Sequence, residues 1–361
     1  MKLSQRDMMT ATELTKSGKL AEATALIQKM LGRFHSADVA QDIASPRATA
    51  SNKLLKDERL TRIPEGAIGS KLQRKSSAGR FESKNYVSAH GRRVYKLFTP
   101  SIYEGQPLPL VVMLHGCSQS PDDFAAGTNM NVIAEETGFF VAYPEQPSSA
   151  NAMSCWNWFK SSDQKKGLGE PALIAGIVRE IASDNSVNQK MVYVAGLSAG
   201  GAMAAILGVT YPDMFAGIGV HSGLPCGAAT NMAGAFKAMK RGGGRTPRSE
   251  SLHPVPTIVF HGDKDPTVDP VNSDHVIAQF DTARAFDLAK TETCKSDGGL
   301  DYSRSVYLRE DGSPLFEQWK IHGAGHAWSG GNAKGSYTEP RGPDASREMI
   351  RFFFEHNLQP S

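Results

Sequence analysis

The chain has 361 residues, 40% hydrophobic and 21% charged, with a formal net charge of only +3. This is the composition of a globular protein large enough for one big domain and an appendage, and it offers no overall basic field for nucleic acid. No run of about 18 apolar residues occurs to span a membrane, and MKLSQRDMMTATELTKSGKL lacks the apolar core and cleavage site of a secretory signal, so a cytoplasmic location is expected.

In chain order, Met8, Met9, Leu14, Leu20, Ala23, Leu26, Ile27, Met30 and Leu31 recur mostly at threes and fours, and Ser17-Gly18-Lys19 breaks the run. A helical hairpin over 1–34 is predicted, which must pack on something to bury its stripe. Residues 35–84 lose this periodicity to Ser, Pro, Ala, Gly and charge and are read as a poorly ordered linker. It is basic: residues 51–93 carry eleven Lys/Arg against four acids. A solvated linker accounts for that, and contact with an anionic surface is the alternative. From 85 to 361 a catalytic domain is predicted. Tyr86–Ala89 and Val94–Phe98 flank a turn at His90-Gly91-Arg92, forming a hairpin. Apolar strings then come at Leu108–Leu114, Phe139–Tyr143, Met191–Ala195, Ala216–Val220, Thr257–Phe260 and Phe316–Ile321, with helices predicted near 123–137, 169–184, 199–211, 272–289 and 344–356. Continuous apolar strands are covered on both faces, which gives a mostly parallel sheet in a three-layer α/β domain. Ligands of such sheets sit beyond the carboxyl ends of the strands.

The residues just after each strand carry the chemistry. Gly196-Leu197-Ser198-Ala199-Gly200 comes after a β-branched strand and before a small-residue helix, the context of a nucleophile elbow, where small residues make room for a strained apex. A serine there needs a base and an orienting acid downstream. His261-Gly262-Asp263-Lys264-Asp265 comes after a strand; Asp263, Asp265 and Asp269 compete for the acid role, and Asp265 is preferred for its reach. His326 stands in a glycine-rich loop after the last strand and is the expected base, whereas His322 ends the strand and is read as structural. The oxyanion donors expected are the N–H groups of Ala199 and of Cys117, with Ser118 the next choice. Cys117, Cys155, Cys226 and Cys294 are too widely spaced for a zinc site and are expected to be free. If paired, they would form Cys117–Cys155 and Cys226–Cys294 and argue for export.

Val111–Gln119, Cys155-Trp156-Asn157-Trp158-Phe159, the elbow, His221–Cys226, His261–Val268 and Gly323–Trp328 together resemble the poly(3-hydroxybutyrate) depolymerase family of esterases, related to feruloyl and acetylxylan esterases. The resemblance covers about residues 85–356. It implies an α/β-hydrolase fold, a triad of Ser198, Asp265 and His326, and carboxylic-ester hydrolysis without metal or cofactor. Short hydroxyalkanoate esters, feruloyl or acetyl esters, and a non-catalytic granule-associated protein are the competing expectations. Trp158 and Trp328, with Trp156, are read as an aromatic substrate wall, residues 227–252 as a lid, and the N-terminal hairpin as a candidate contact to a polyester granule.

Overall fold

The computed structural model describes residues 79–243, 254–280 and 286–358. The hairpin expected over 1–34 and the linker as far as residue 78 lie outside them. The hairpin of β1 (Arg80–Ser88) and β2 (Gly91–Thr99) opens the described chain, in continuous antiparallel register from Arg80↔Thr99 to Ser88↔Gly91. Residues 80–84, assigned to the linker from composition, are therefore sheet. As an edge strand with Arg80, Glu82 and Ser83 exposed, this segment has a linker's polarity.

Six parallel strands make the centre: β3 (Leu108–Leu114), β4 (Phe140–Pro144), β5 (Val187–Leu197), β6 (Gly217–His221), β7 (Thr257–Gly262) and β10 (Pro314–Ile321). An antiparallel ribbon of β8 (Asp287–Lys295) and β9 (Asp301–Leu308) extends β10, giving the order β1-β2-β4-β3-β5-β6-β7-β10-β9-β8. The pleat explains why the central strands read as unbroken apolar runs. On β3, Leu110, Val112 and Leu114 belong to the core shared with α3 (Gly169–Asp184), α4 (Ala199–Thr210), α5 (Met232–Arg241) and α6 (Val271–Ala278). Val111 and Met113 face α1 (Pro121–Thr128), α2 (Met130–Thr137) and α7 (Ala345–Phe354) on the other side. Among the described residues no helix is long and apolar enough to cross a membrane.

Two predicted helices end differently. The helix expected over 123–137 is two, because Asn129 takes a left-handed conformation (φ 53°) between α1 and α2. The helix expected over 272–289 stops at Ala278, and its last residues begin β8. That strand is exposed along nearly its whole length, so it shows no apolar alternation that would reveal it.

Candidate active site

The carboxyl edge of the parallel strands collects the candidate residues. Ser198 is the apex between β5 and α4, at φ 57° and ψ −116°, a conformation that is costly for a residue with a Cβ. Its flanking glycines are dictated by contact: a Cβ on Gly200 would lie 2.0 Å from the Leu114 carbonyl oxygen, and one on Gly196 2.4 Å from the Gly200 carbonyl carbon. Ser118, Ser154 and Ser222, also at left-handed φ, stand beside Cys117, Cys155 and His221. Strain is thus gathered where the candidate side chains are.

The β7–α6 loop brings Asp265 to His326, with Oδ2 2.6 Å from Nδ1. Oδ1 accepts the N–H groups of Thr267 (2.8 Å) and Val268 (2.9 Å), and Oδ2 also lies 3.3 Å from His261 Nε2. Burial alone would raise this carboxyl, but the bonds from His261 and His326 outweigh it and hold it far below the usual carboxylate range. Asp263 does something else: it accepts the Gly323 N–H (2.7 Å) and meets His322 Nδ1 (3.1 Å), while Lys264 N–H donates to Ala324 O (3.0 Å). These bonds zip the acid loop to the His326 loop. Asp269 N–H bonds Met239 O on α5 (2.7 Å).

At the turn after β3, Gly116 N–H is taken by Gln119 Oε1 (2.9 Å) and Ser118 N–H by Met153 O (2.7 Å). The second choice for an oxyanion donor is therefore already engaged, leaving Cys117 N–H between the two. Cys117 and Cys155 are disulfide-bonded, while Cys226 is free and buried and Cys294 free and exposed. The expectation that the cysteines are free is thus overturned for Cys117 and Cys155 and holds for Cys226 and Cys294. His115 stiffens the same turn by accepting Gln146 N–H at Nε2 (3.0 Å), with Nδ1 facing Gly116 O (2.8 Å). Below it Glu170 accepts from Asn157 N–H (2.7 Å), Asn157 Nδ2 (2.6 Å) and Gln146 Nε2 (2.5 Å). Gln119 and Asp123 bind Ser336, tying this turn to the segment beyond His326.

The aromatic wall is corrected. Trp328 is 1% exposed and Trp158 5%, so neither offers an open face. Trp328 donates to Ser346 Oγ (3.0 Å), and Trp156 to the His115 carbonyl (3.1 Å), as props under the site loops. Tyr337 is 49% exposed, with its hydroxyl 3.3 Å from Ser118 Oγ, and was not foreseen. Of the segment read as a lid, α5 is described and residues 244–253 are not; Lys240 on α5 donates to Pro266 O in the acid loop. Two further residues escaped sequence reasoning. His261 bears on Asp265, and His221 joins the elbow to the His326 loop: its carbonyl accepts Ser198 N–H (2.8 Å) and its Nε2 accepts Ser329 N–H (2.9 Å).

A parallel sheet flanked on both faces by helices, with a strained serine elbow and a histidine–carboxylate pair at one edge, defines an α/β hydrolase. The chain's fold matches that of an acetyl xylan esterase from Aspergillus awamori at a TM-score of 0.61 and 19% identity, over 76% of this chain and 99% of the other. Within that class it belongs to the esterase PHB depolymerase family, whose profile matches residues 93–297. It is 35% identical over 229 residues to poly(3-hydroxyalkanoate) depolymerase C of Paucimonas lemoignei, covering 60% of this chain and 54% of that one. It is 33% identical over 143 residues to feruloyl esterase B of Thermothelomyces thermophilus, covering 39% of this chain and 47% of that one. The chain thus spans about half the length of these curated relatives.

Proposed function

We propose that the chain is a serine carboxylic ester hydrolase acting on poly- or oligo-(3-hydroxybutyrate) or related short hydroxyalkanoate esters. The observation that carries this is the 2.6 Å Asp265–His326 pair, in a loop joined through His221 to the strained Ser198 apex. Because Asp265 occupies Nδ1, Nε2 is the nitrogen of His326 able to take the Ser198 proton. The hydroxyl oxygen then bonds to the ester carbonyl carbon, and the carbonyl oxygen takes the negative charge under the N–H groups of Cys117 and Ala199. Collapse expels the alcohol, which leaves with the proton held by His326, and an acyl-Ser198 ester is left behind. Water repeats the sequence and frees the acid. Each oxyanion donor is worth about 3 kcal/mol in comparable enzymes.

Similarity to a polyhydroxyalkanoate depolymerase supports the hydroxyalkanoate substrate. The feruloyl esterase relative and an acetylxylan esterase A from Talaromyces purpureogenus, 28% identical over 185 residues, support an aryl or acetyl ester as the second reading. The Cys117–Cys155 disulfide favours an oxidising compartment over the cytoplasm expected from the N-terminal sequence. Contact of the N-terminal segment 1–34 with a polyester granule stays part of the proposal. The test is turnover of hydroxybutyrate oligomers, p-nitrophenyl acyl esters and methyl ferulate by the wild type and Ser198→Ala. A Ser198→Ala loss of about a million-fold supports the assignment, and retained activity rejects it.

A further inference from the structure

His221 closes β6, level with Leu197 on the neighbouring strand, and is fully buried. It holds two site loops at once. Its carbonyl oxygen accepts the N–H of Ser198 at 2.8 Å, fixing the elbow from below. Its ring accepts, at Nε2, the N–H of Ser329 at 2.9 Å, three residues after His326. The peptide N–H can only donate, so Nε2 carries no proton, and the Nδ1–H points to Ser222 Oγ 3.1 Å away. The ring is stacked between Phe260 (centroids 5.8 Å, interplanar angle 13°) and Trp328 (5.0 Å, 25°), which belongs to the same loop as His326. Burial pushes the imidazole well below its ordinary range, so it stays neutral.

We infer that His221 is a positioning residue for the ester chemistry: one rigid imidazole peptide unit bonded to both the nucleophile's backbone and the base's loop sets the approach of His326 to Ser198. The inference rests on the proposed triad. Sub-ångström control matters here, because a misplacement of about 1 Å costs roughly a hundred-fold in rate. His221→Phe keeps a flat ring for the stack and deletes the acceptor. His221→Gln puts a carbonyl oxygen back near the Nε2 position. His221→Phe is expected to lower kcat by about a hundred-fold with KM within about two-fold, to slow phosphonylation of Ser198 by a fluorophosphonate in parallel, and to leave the melting temperature close to wild type. His221→Gln is expected to recover at least about ten-fold of the loss. A His221→Phe variant that turns over within about three-fold of wild type, or a His221→Gln variant no better than His221→Phe, overturns the role. Should His221→Phe not fold, nitrogen NMR of histidine-labelled wild-type protein decides: an Nδ1–H tautomer that does not titrate between about pH 5 and about pH 9 supports the inference, and an Nε2–H or titrating ring overturns it. An active Ser198→Ala would sink the triad itself, whereas an inactive Ser198→Ala beside a full-rate His221→Phe sinks only the positioning role.

Discussion

Asp265→Asn is the sharpest perturbation of the proposed chemistry. The carboxylate meets four donors, two backbone N–H groups on Oδ1 and two histidine nitrogens on Oδ2. In Asn the amide oxygen must stay on Thr267 and Val268 N–H, since the reverse would set N–H against N–H. The amide nitrogen then faces His326, whose Nδ1 has to become an acceptor. The proton moves to Nε2, and the ring can no longer take one from Ser198. A wrong tautomer of this kind lowers kcat by about 10⁴ in a comparable triad, equivalent to about 5.5 kcal/mol of barrier. Stability should fall by much less, about 2 kcal/mol for one charge-assisted bond. The two effects separate by pH. The Asp265 carboxyl is held below its unfolded value, so its stabilisation is complete above the unfolded carboxylate range (about 3.9) and is lost as pH falls through the lower folded value. Between about pH 6 and about pH 8 this stability difference is constant, so the rate on a p-nitrophenyl ester is compared there on protein shown to be folded by circular dichroism. Asp263→Asn, which touches only the His322–Gly323 clamp, is the control and should stay within about ten-fold of wild type. A folded Asp265→Asn enzyme within ten-fold of wild type, or an equal loss in Asp263→Asn, refutes the assignment.

Gly200→Ala sets a Cβ 2.0 Å from backbone, where no side chain can yield, and should abolish soluble expression or activity, checked by yield and melting temperature. Replacing Cys117 and Cys155 together by Ser opens a loop of 38 residues and should cost about 4 kcal/mol by loop entropy, read from denaturant midpoints. Because Cys117 also carries a proposed oxyanion donor, kcat should fall in the same variant. Glu317, buried on β10, would be raised by burial but is held below its usual range by Arg304 and Arg351. It stabilises the fold above the unfolded carboxyl pKa of about 4.3 and loses this as pH falls further, so Glu317→Gln should be less stable at pH 7 and flatter in acid titrations monitored by circular dichroism.

The parallel core was legible because its strands are apolar on both faces, and the elbow because steric demand selects Gly196 and Gly200. Where one face or none is covered, sequence said less. The 80–84 segment passed for linker, and β8 passed for the end of a helix. The tryptophans misled because an indole beside a loop has the same sequence signature whether it faces ligand or props the loop from beneath; only burial separates them. Disulfide choice was likewise tertiary: Cys117 and Cys155 come after different strands, and nothing local distinguishes that pair from Cys226 and Cys294.

His221 left a signal of a subtler kind, a histidine at the carboxyl end of a strand, with glycine within the next two residues. That pattern occurs at His115-Gly116, His221-Ser222-Gly223, His261-Gly262 and His322-Gly323. The first three rings are almost wholly buried; His115 reaches Gln146 N–H and His221 reaches Ser329 N–H in distant segments, while His261 braces the loop directly after its own strand at Asp265 and Val268 O. The fourth, more open, holds Asp263 and Ser303. At His115 and His221, where burial pushes the ring below its ordinary range, a neutral imidazole suits this place because it offers an acceptor and a donor across a stiff flat ring, with no charge to desolvate and only two torsions to freeze. The glycines then let the chain turn sharply away. On this view the edge is stiffened by strand-terminal imidazoles, two of which (His115 and His221) join segments far apart in sequence, whereas His326, the proposed base, stands apart from these four on a loop, as the proposed proton exchange would require.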